Sequence, residues 1–219
     1  MDVREALYTT RAMRRVKADP IPLDAQARIL DAAVRAPSGG NTQGWRFVLV
    51  DSDEVKAQLG PVYRDALGKL WATFYKDRVA AAEADPASDE GAATLRMVRS
   101  AQHLADHFEA VPLYLLAFIQ HDPSGGSIFP AVWSAMLAAR AEGIGSSLTS
   151  VMGVFHGPET LAAVGVPPDE GWINACCVSF GYPTGRWDVA ARHPAHRVTF
   201  RNRWGDEPGF RTDEPLWQP

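Results

Sequence analysis

The chain is short of cysteine, of long apolar runs and of surplus positive charge, and each shortage removes a class of function. Its two cysteines, Cys176 and Cys177, are adjacent inside the apolar stretch Trp172 to Phe180. Neighbours on a strand point to opposite faces, so the pair reads as core and is poorly placed to hold one metal. His103 and His107 stand four apart on a helical pattern, but no further ligand at zinc spacing accompanies them, and no metal is expected. Apolar runs such as Val111 to Ile119 fall far short of the roughly 20 residues of a membrane-spanning helix. The start, Met1-Asp2-Val3-Arg4-Glu5, mixes charges and lacks the apolar segment of a secretory signal, so cytoplasm is the expected compartment. A formal net charge of -4 argues against nucleic acid as a partner. Also missing are a Ser-His-Asp or paired-carboxylate constellation and a Gly-x-Gly-x-x-Gly turn after a strand.

What is present suits a single domain. With 219 residues, 46% of them hydrophobic, the chain can bury a substantial core. No Ser/Gly linker divides it and no solenoid-like repeat recurs. Asp2 and Glu5 form a capping-box pattern for a helix ending near Thr10. A second helix spans about Asp24 to Arg35. Phe47 to Asp51 reads as a strand and Glu54 to Leu59 as a short helix. Helical patterns follow from Arg64 to about Ala84 and from about Glu90 to Glu109, separated by Asp85-Pro86. Val111 to Gln120 reads as a buried strand and Phe129 to Glu142 as a core helix with Pro130 in its first turn. Ser146 to Val154 reads as a hydroxyl-rich loop, Pro158 to Val164 as a short helix and Trp172 to Gly181 as a buried strand.

Two segments carry chemistry. Ala36-Pro37-Ser38-Gly39-Gly40-Asn41-Thr42-Gln43-Gly44-Trp45-Arg46 lies between a helix and a strand. Pro37 bars helical geometry before it, and Gly39-Gly40 let peptide N–H groups approach a ligand closely. Ser38, Asn41 and Gln43 both donate and accept hydrogen bonds, which suits a flat heteroaromatic ring, although an ordinary polar turn has the same composition. The second is Arg11-Ala12-Met13-Arg14-Arg15. If helical geometry continues one turn, its three guanidinium groups converge, and their forks match phosphate oxygens; a solvated basic helix end is the alternative.

Together with Gly143-Ile144-Gly145-Ser146-Ser147-Leu148-Thr149-Ser150, these segments occur in the order typical of one family. From Arg11 to about Arg203 the chain resembles the nitroreductase-like flavoproteins. Ala36 to Trp45 is the most specific part, similar to the family loop Ala-Pro-Ser-x-x-Asn-x-Gln-Pro-Trp, and Leu137 to Gly145 and Gly181-Tyr182-Pro183 add support.

The resemblance implies an α+β fold with a central, mostly antiparallel sheet sandwiched by helices, one domain over residues 1–219, and an intertwined homodimer. Each of two interface clefts would hold one FMN. Arg11, Arg14, Arg15 and Arg192 would take its phosphate. Ser38, Gly39, Asn41 and Gln43 would meet the ribityl chain and ring edge, largely from the partner protomer. Leu148, Thr149 and Ser150 would pass along the ring, with Thr149 or Ser150 near flavin N5. No residue is assigned as a catalyst, because the flavin carries the chemistry. NAD(P)H would be a transient co-substrate in a ping-pong cycle ending on a nitroaromatic, quinone or related small-molecule acceptor. An excursion at about 64–109 would overhang the cleft with Trp71, Phe74, Tyr75 and Arg96 toward the acceptor, and an arm at about 198–219 would embrace the partner. The alternatives are an FMN storage protein without turnover, and a specialised flavin-dependent dehalogenase or dehydrogenase. Against the family pattern, Ala12 stands where a serine is usual, Gly44 where a proline is usual, and Trp133-Ser134 where Gln-Asn is frequent.

Overall fold

The computed structural model describes residues 1–217, so the last two residues of the expected arm lie outside the described part. Along the chain run α1 (Val3–Thr9), α2 (Leu23–Ala33), β1 (Trp45–Val50), α3 (Asp53–Ala72), α4 (Lys76–Ala84), α5 (Asp89–Asp106), β2 (Leu113–Ile119), α6 (Ile128–Ala141), β3 (Gly145–Thr149), α7 (Val151–Ala163) and β4 (Ile173–Gly181). The strands form one antiparallel sheet in the order β1-β2-β4-β3.

The central strands β2 and β4 are apolar on both faces because both faces are covered, as expected of a fully buried strand. Leu113, Leu115 and Ala117 join Cys176, Val178 and Phe180 beneath α2 and α6. On the other face Tyr114, Leu116 and Phe118 join Cys177 beneath α3, α5 and α7. The adjacent cysteines thus serve opposite cores, both free thiols and both buried. Burial alone pushes Cys176 up to about 12, which makes it a packing group and not a nucleophile. Among the described residues no group of three or more His, Cys, Asp or Glu converges as for a metal, and no helix is long and apolar enough to cross a membrane.

Several local expectations are corrected. The short helix at Glu54–Leu59 is the first part of the 20-residue α3, which continues through Pro61. A proline forfeits one intrahelical bond, but the face that carries Leu59, Tyr63, Ala66 and Leu67 packs into the second core and holds the helix together. The expected single helix from Arg64 to Ala84 is broken at Thr73–Tyr75. The expected loop at Ser146–Val154 is strand β3 followed at once by α7; Ser146 and Ser147 are buried, and the ladder to β4 satisfies their backbone. The short helix expected at Pro158 begins seven residues earlier, at Val151, and is kinked at His156, two residues before the proline.

Candidate cofactor site

The arginine segment is extended, not helical. Helix α1 ends at Thr9, and the chain then runs alongside the sheet. Ala12 forms a parallel bridge with Ser146, and Val16 an antiparallel bridge with Pro183. Met13 N–H donates to Ser146 O at 2.9 Å and Lys17 N–H to Tyr182 O at 2.8 Å. Such contact needs small residues opposite. A Cβ on Gly145 would sit 2.8 Å from Met13 Cβ, and one on Gly181 would sit 2.6 Å from Val16 Cβ. The glycines that open β3 and end β4 therefore admit the segment, a physical reason for the second glycine of Gly-Ile-Gly and the glycine of Gly-Tyr-Pro. Nearby Arg140 is buried, bonded to Thr9 Oγ1 at 2.8 Å and Glu5 at 3.2 Å, with Trp187 stacked 4.0 Å away. It ties α1, α6 and the stretch after β4 into one frame.

Although the helical route to convergence fails, the arginines still meet. Arg11, Arg14 and Arg15 line a cavity of about 350 Å³ with Ser100, Thr184, Arg186 and Asp188. Arg11, Arg15 and Arg186 are exposed, while Arg14 is partly buried. Burial holds the Arg14 guanidinium below its ordinary value, opposed by Tyr63; burial likewise pushes the Tyr63 phenol up to about 12. Among the described residues Arg14 pairs with no carboxylate, and its side-chain bond is to Ser100 Oγ at 3.4 Å. A desolvated cation without a counter-ion is costly, and an incoming anion relieves that cost.

β3 runs beside this segment and ends at Leu148 and Thr149, with Ser150 opening α7. Thr149 Oγ1 accepts from Val151 N–H at 3.4 Å. Ser150 makes no side-chain cap bond among the described residues, so its hydroxyl and the N–H groups of Met152 and Gly153, which follow Val151 in the first turn of α7, are left for a ligand.

The glycine loop has a left-handed backbone at three positions. Gly40, Asn41 and Gln43 have φ of 57°, 54° and 50°, a region uncommon for residues with side chains. Ser38 Oγ accepts from Gln43 N–H at 3.1 Å, Gln43 Nε2 donates to Asn41 Oδ1 at 3.3 Å, and Gly39 N–H donates to Ser127 Oγ at 3.3 Å. Gly39, Asn41 and Gln43 are exposed. The sheet register places this loop far from the arginines. It precedes Trp45, which pairs with Ile119 at one end of β1, whereas Ser146 pairs with Phe180 at the other end of the sheet and on its opposite edge. Strand spacing and rise put the two features on the order of 25 Å apart.

Arg192 does not join the other arginines within the chain. It lines a separate cavity of about 670 Å³ with Tyr8, Trp133, His193 and Glu214, its Nη1 donating to Ala191 O at 2.8 Å. Trp71 and Tyr75 stack edge-on at 5.5 Å at the break between α3 and α4, and Trp71 Nε1 is buried without a partner among the described residues. Arg96 is exposed on α5, one turn before Ser100. Sequence reasoning missed Ser100, Thr184, Arg186 and Asp188. Arg186 follows Gly181-Tyr182-Pro183 closely enough to have been found; a helical serine such as Ser100 gave no signal.

Comparison with known proteins agrees with this frame. The model of the Nitroreductase family matches residues 7–182. The chain is 30% identical over 199 residues to 5,6-dimethylbenzimidazole synthase of Rhodospirillum rubrum, covering 83% of this chain and 82% of that protein. Among solved structures, a BluB-like flavoprotein from Clostridium difficile 630 superposes with a TM-score of 0.66 at 17% identity, over 93% of this chain and 100% of that one. The FMN-dependent nitroreductase NfnB from Mycobacterium smegmatis, in complex with NADPH, superposes at 0.63 and 19% identity, over 91% and 97%. The family match begins in α1 and ends at Tyr182, spanning the arginine segment, the glycine loop, β3 and β4, and with it the chain belongs to the nitroreductase family.

Proposed function

We propose that the chain is an FMN-dependent oxidoreductase, active as a homodimer, that takes hydride from NAD(P)H and passes it to a nitroaromatic, quinone or related conjugated acceptor. The observation that carries this reading is the cavity where four arginines face one carboxylate and the most buried of them, Arg14, has no counter-ion among the described residues. A phosphate monoester supplies the missing charge and the oxygens that guanidinium forks grip two at a time. Bound FMN would supply hydride acceptance and release at N5; a mycobacterial structural neighbour is named for FMN and NADPH.

The residues present fit that group. Arg11, Arg14 and Arg15 would hold the phosphate. Leu148, Thr149 and Ser150 would lie along the ring, where the free donors at the start of α7 stabilise negative charge. Ser38, Gly39, Asn41 and Gln43 stand too far from Arg11 in the same chain, so a second copy would bring them, and Arg192 would reach the phosphate only after rearrangement or from that copy. Exposed Phe129 and Trp133 on α6 and Val198, Phe200 and Trp204 on the arm favour such an assembly, because clustered exposed apolar groups mark interfaces. Trp71, Tyr75 and Arg96 would face the acceptor.

Anaerobic addition of NADH or NADPH to the flavin-loaded protein tests turnover. Rapid bleaching of the flavin absorbance is expected; a flavin that stays oxidised with both donors supports storage or a different donor. A second reading rests on the relative at 30% identity: if its named activity were shared, 5,6-dimethylbenzimidazole would be detected by chromatography of reaction mixtures of the flavin-loaded protein.

A further inference from the structure

The wall of the arginine cavity opposite the extended segment comes from α5, within the helical excursion. Arg96, Ser100 and His103 follow at i, i+4 and i+7 and share one flank of that helix. Ser100 is half-buried and lines the cavity. Its Oγ accepts from Arg14 Nη1 at 3.4 Å, and the hydroxyl's own proton is given to no acceptor among the described residues. The other hydroxyl in the lining, Thr184 Oγ1, donates to Arg15 O at 3.3 Å and is committed. Ala12, in the middle of the arginines, brings no hydroxyl.

We propose that Ser100 is a binding residue for the phosphate, its hydroxyl accepting from Arg14 while donating its free proton to a phosphate oxygen. The excursion then does more than overhang the acceptor: α5 completes the anion site and fixes the direction of Arg14, the most buried arginine of the cavity. This inference rests on the FMN reading. The hydroxyl donates to a dianion, and charge-assisted bonds of this kind contribute about 1.5–3 kcal/mol, equivalent to roughly a ten- to hundredfold change in dissociation constant.

The test compares FMN with riboflavin, which lacks the phosphate, by flavin fluorescence titration of the full chain and its variants. Ser100→Ala should weaken FMN binding by at least about tenfold and leave riboflavin binding unchanged. Ser100→Thr, which keeps the hydroxyl, should restore most of the loss. Ser100→Asp, which sets a carboxylate beside Arg14, should weaken FMN more than Ser100→Ala does. If Ser100→Ala binds FMN as the unaltered chain does, or weakens FMN and riboflavin equally, the assignment of Ser100 is wrong. An unaltered chain that binds neither flavin overturns the FMN reading itself, and one that prefers FMN while the variant loses nothing overturns only the role of Ser100.

Discussion

The two halves of the candidate site are built in opposite ways. The arginine half is clamped within one chain: its backbone is bonded to β3 and to the end of β4, and two glycines let it approach to contact distance. The loop half stands exposed from Gly39 to Gln43, tied to the body by Gly39 N–H to Ser127 Oγ and, at its end, by Gln120 N–H to Gly44 O, with further bonds within itself. On the proposed function, reading a charge would gain from a backbone fixed before the ligand arrives, since a partly buried cation such as Arg14 is expensive to reposition. On the proposed function, reading a ring edge could be left to assembly, with a second protomer supplying the surface that orders the loop.

That contrast can be broken most strongly at Gly181. A Gly181→Val side chain would collide with Val16, and overpacking of this kind costs about 1–3 kcal/mol. The displaced segment should lose FMN with little loss of riboflavin, read by titration alongside thermal unfolding. Ser127→Ala is expected to be milder: losing one loop hydrogen bond costs on the order of 1 kcal/mol, seen as a few-fold weaker binding of both flavins with an almost unchanged melting temperature. At Gly39 an added Cβ meets nothing within 4 Å, so Gly39→Ala should leave stability within about 0.5 kcal/mol; loss of flavin affinity by this folded variant is expected if the loop approaches the flavin. A stability loss at Gly39 as large as that at Gly181 would erase the distinction between the halves.

The smallest effect concerns pH. His103 stacks on His107 at 4.2 Å and is held below its ordinary value by burial first and then by Arg15 and His107. A depressed value in the folded chain means that protonation is harder folded than unfolded. Its contribution to stability is complete above the ordinary value of 6.5 and is lost as pH falls through the folded value. Between about pH 7 and about pH 5 the chain should lose more stability than His103→Gln does, measured by denaturant unfolding; parallel curves would remove His103 from the neighbourhood of Arg15.

Much of this was legible in the residues, and the failures share one cause. Buried β2 and β4 and the opposed cysteines follow from period-2 geometry and apolar runs, which are local. The glycine loop is visible because Pro37, Gly39 and Gly40 act on their own backbone. The extended course of Arg11–Arg15 was not visible, because its partners Ser146 and Pro183 lie more than a hundred residues away and nothing local distinguishes that course from a helix end. α3 outran its expected length for the same reason: Pro61 is a local breaker overruled by packing against the second core. Ser100 carries no signature and acquires meaning only from Arg14 across the cavity.

The most direct test of the whole account is the ratio of riboflavin to FMN dissociation constants before and after replacing Arg11 and Arg14 together by glutamine. The account predicts strong preference for FMN in the unaltered chain and its collapse in the double variant by at least about a hundredfold, at about 1.5–3 kcal/mol per charge-assisted contact. A folded double variant that keeps the original preference would contradict it.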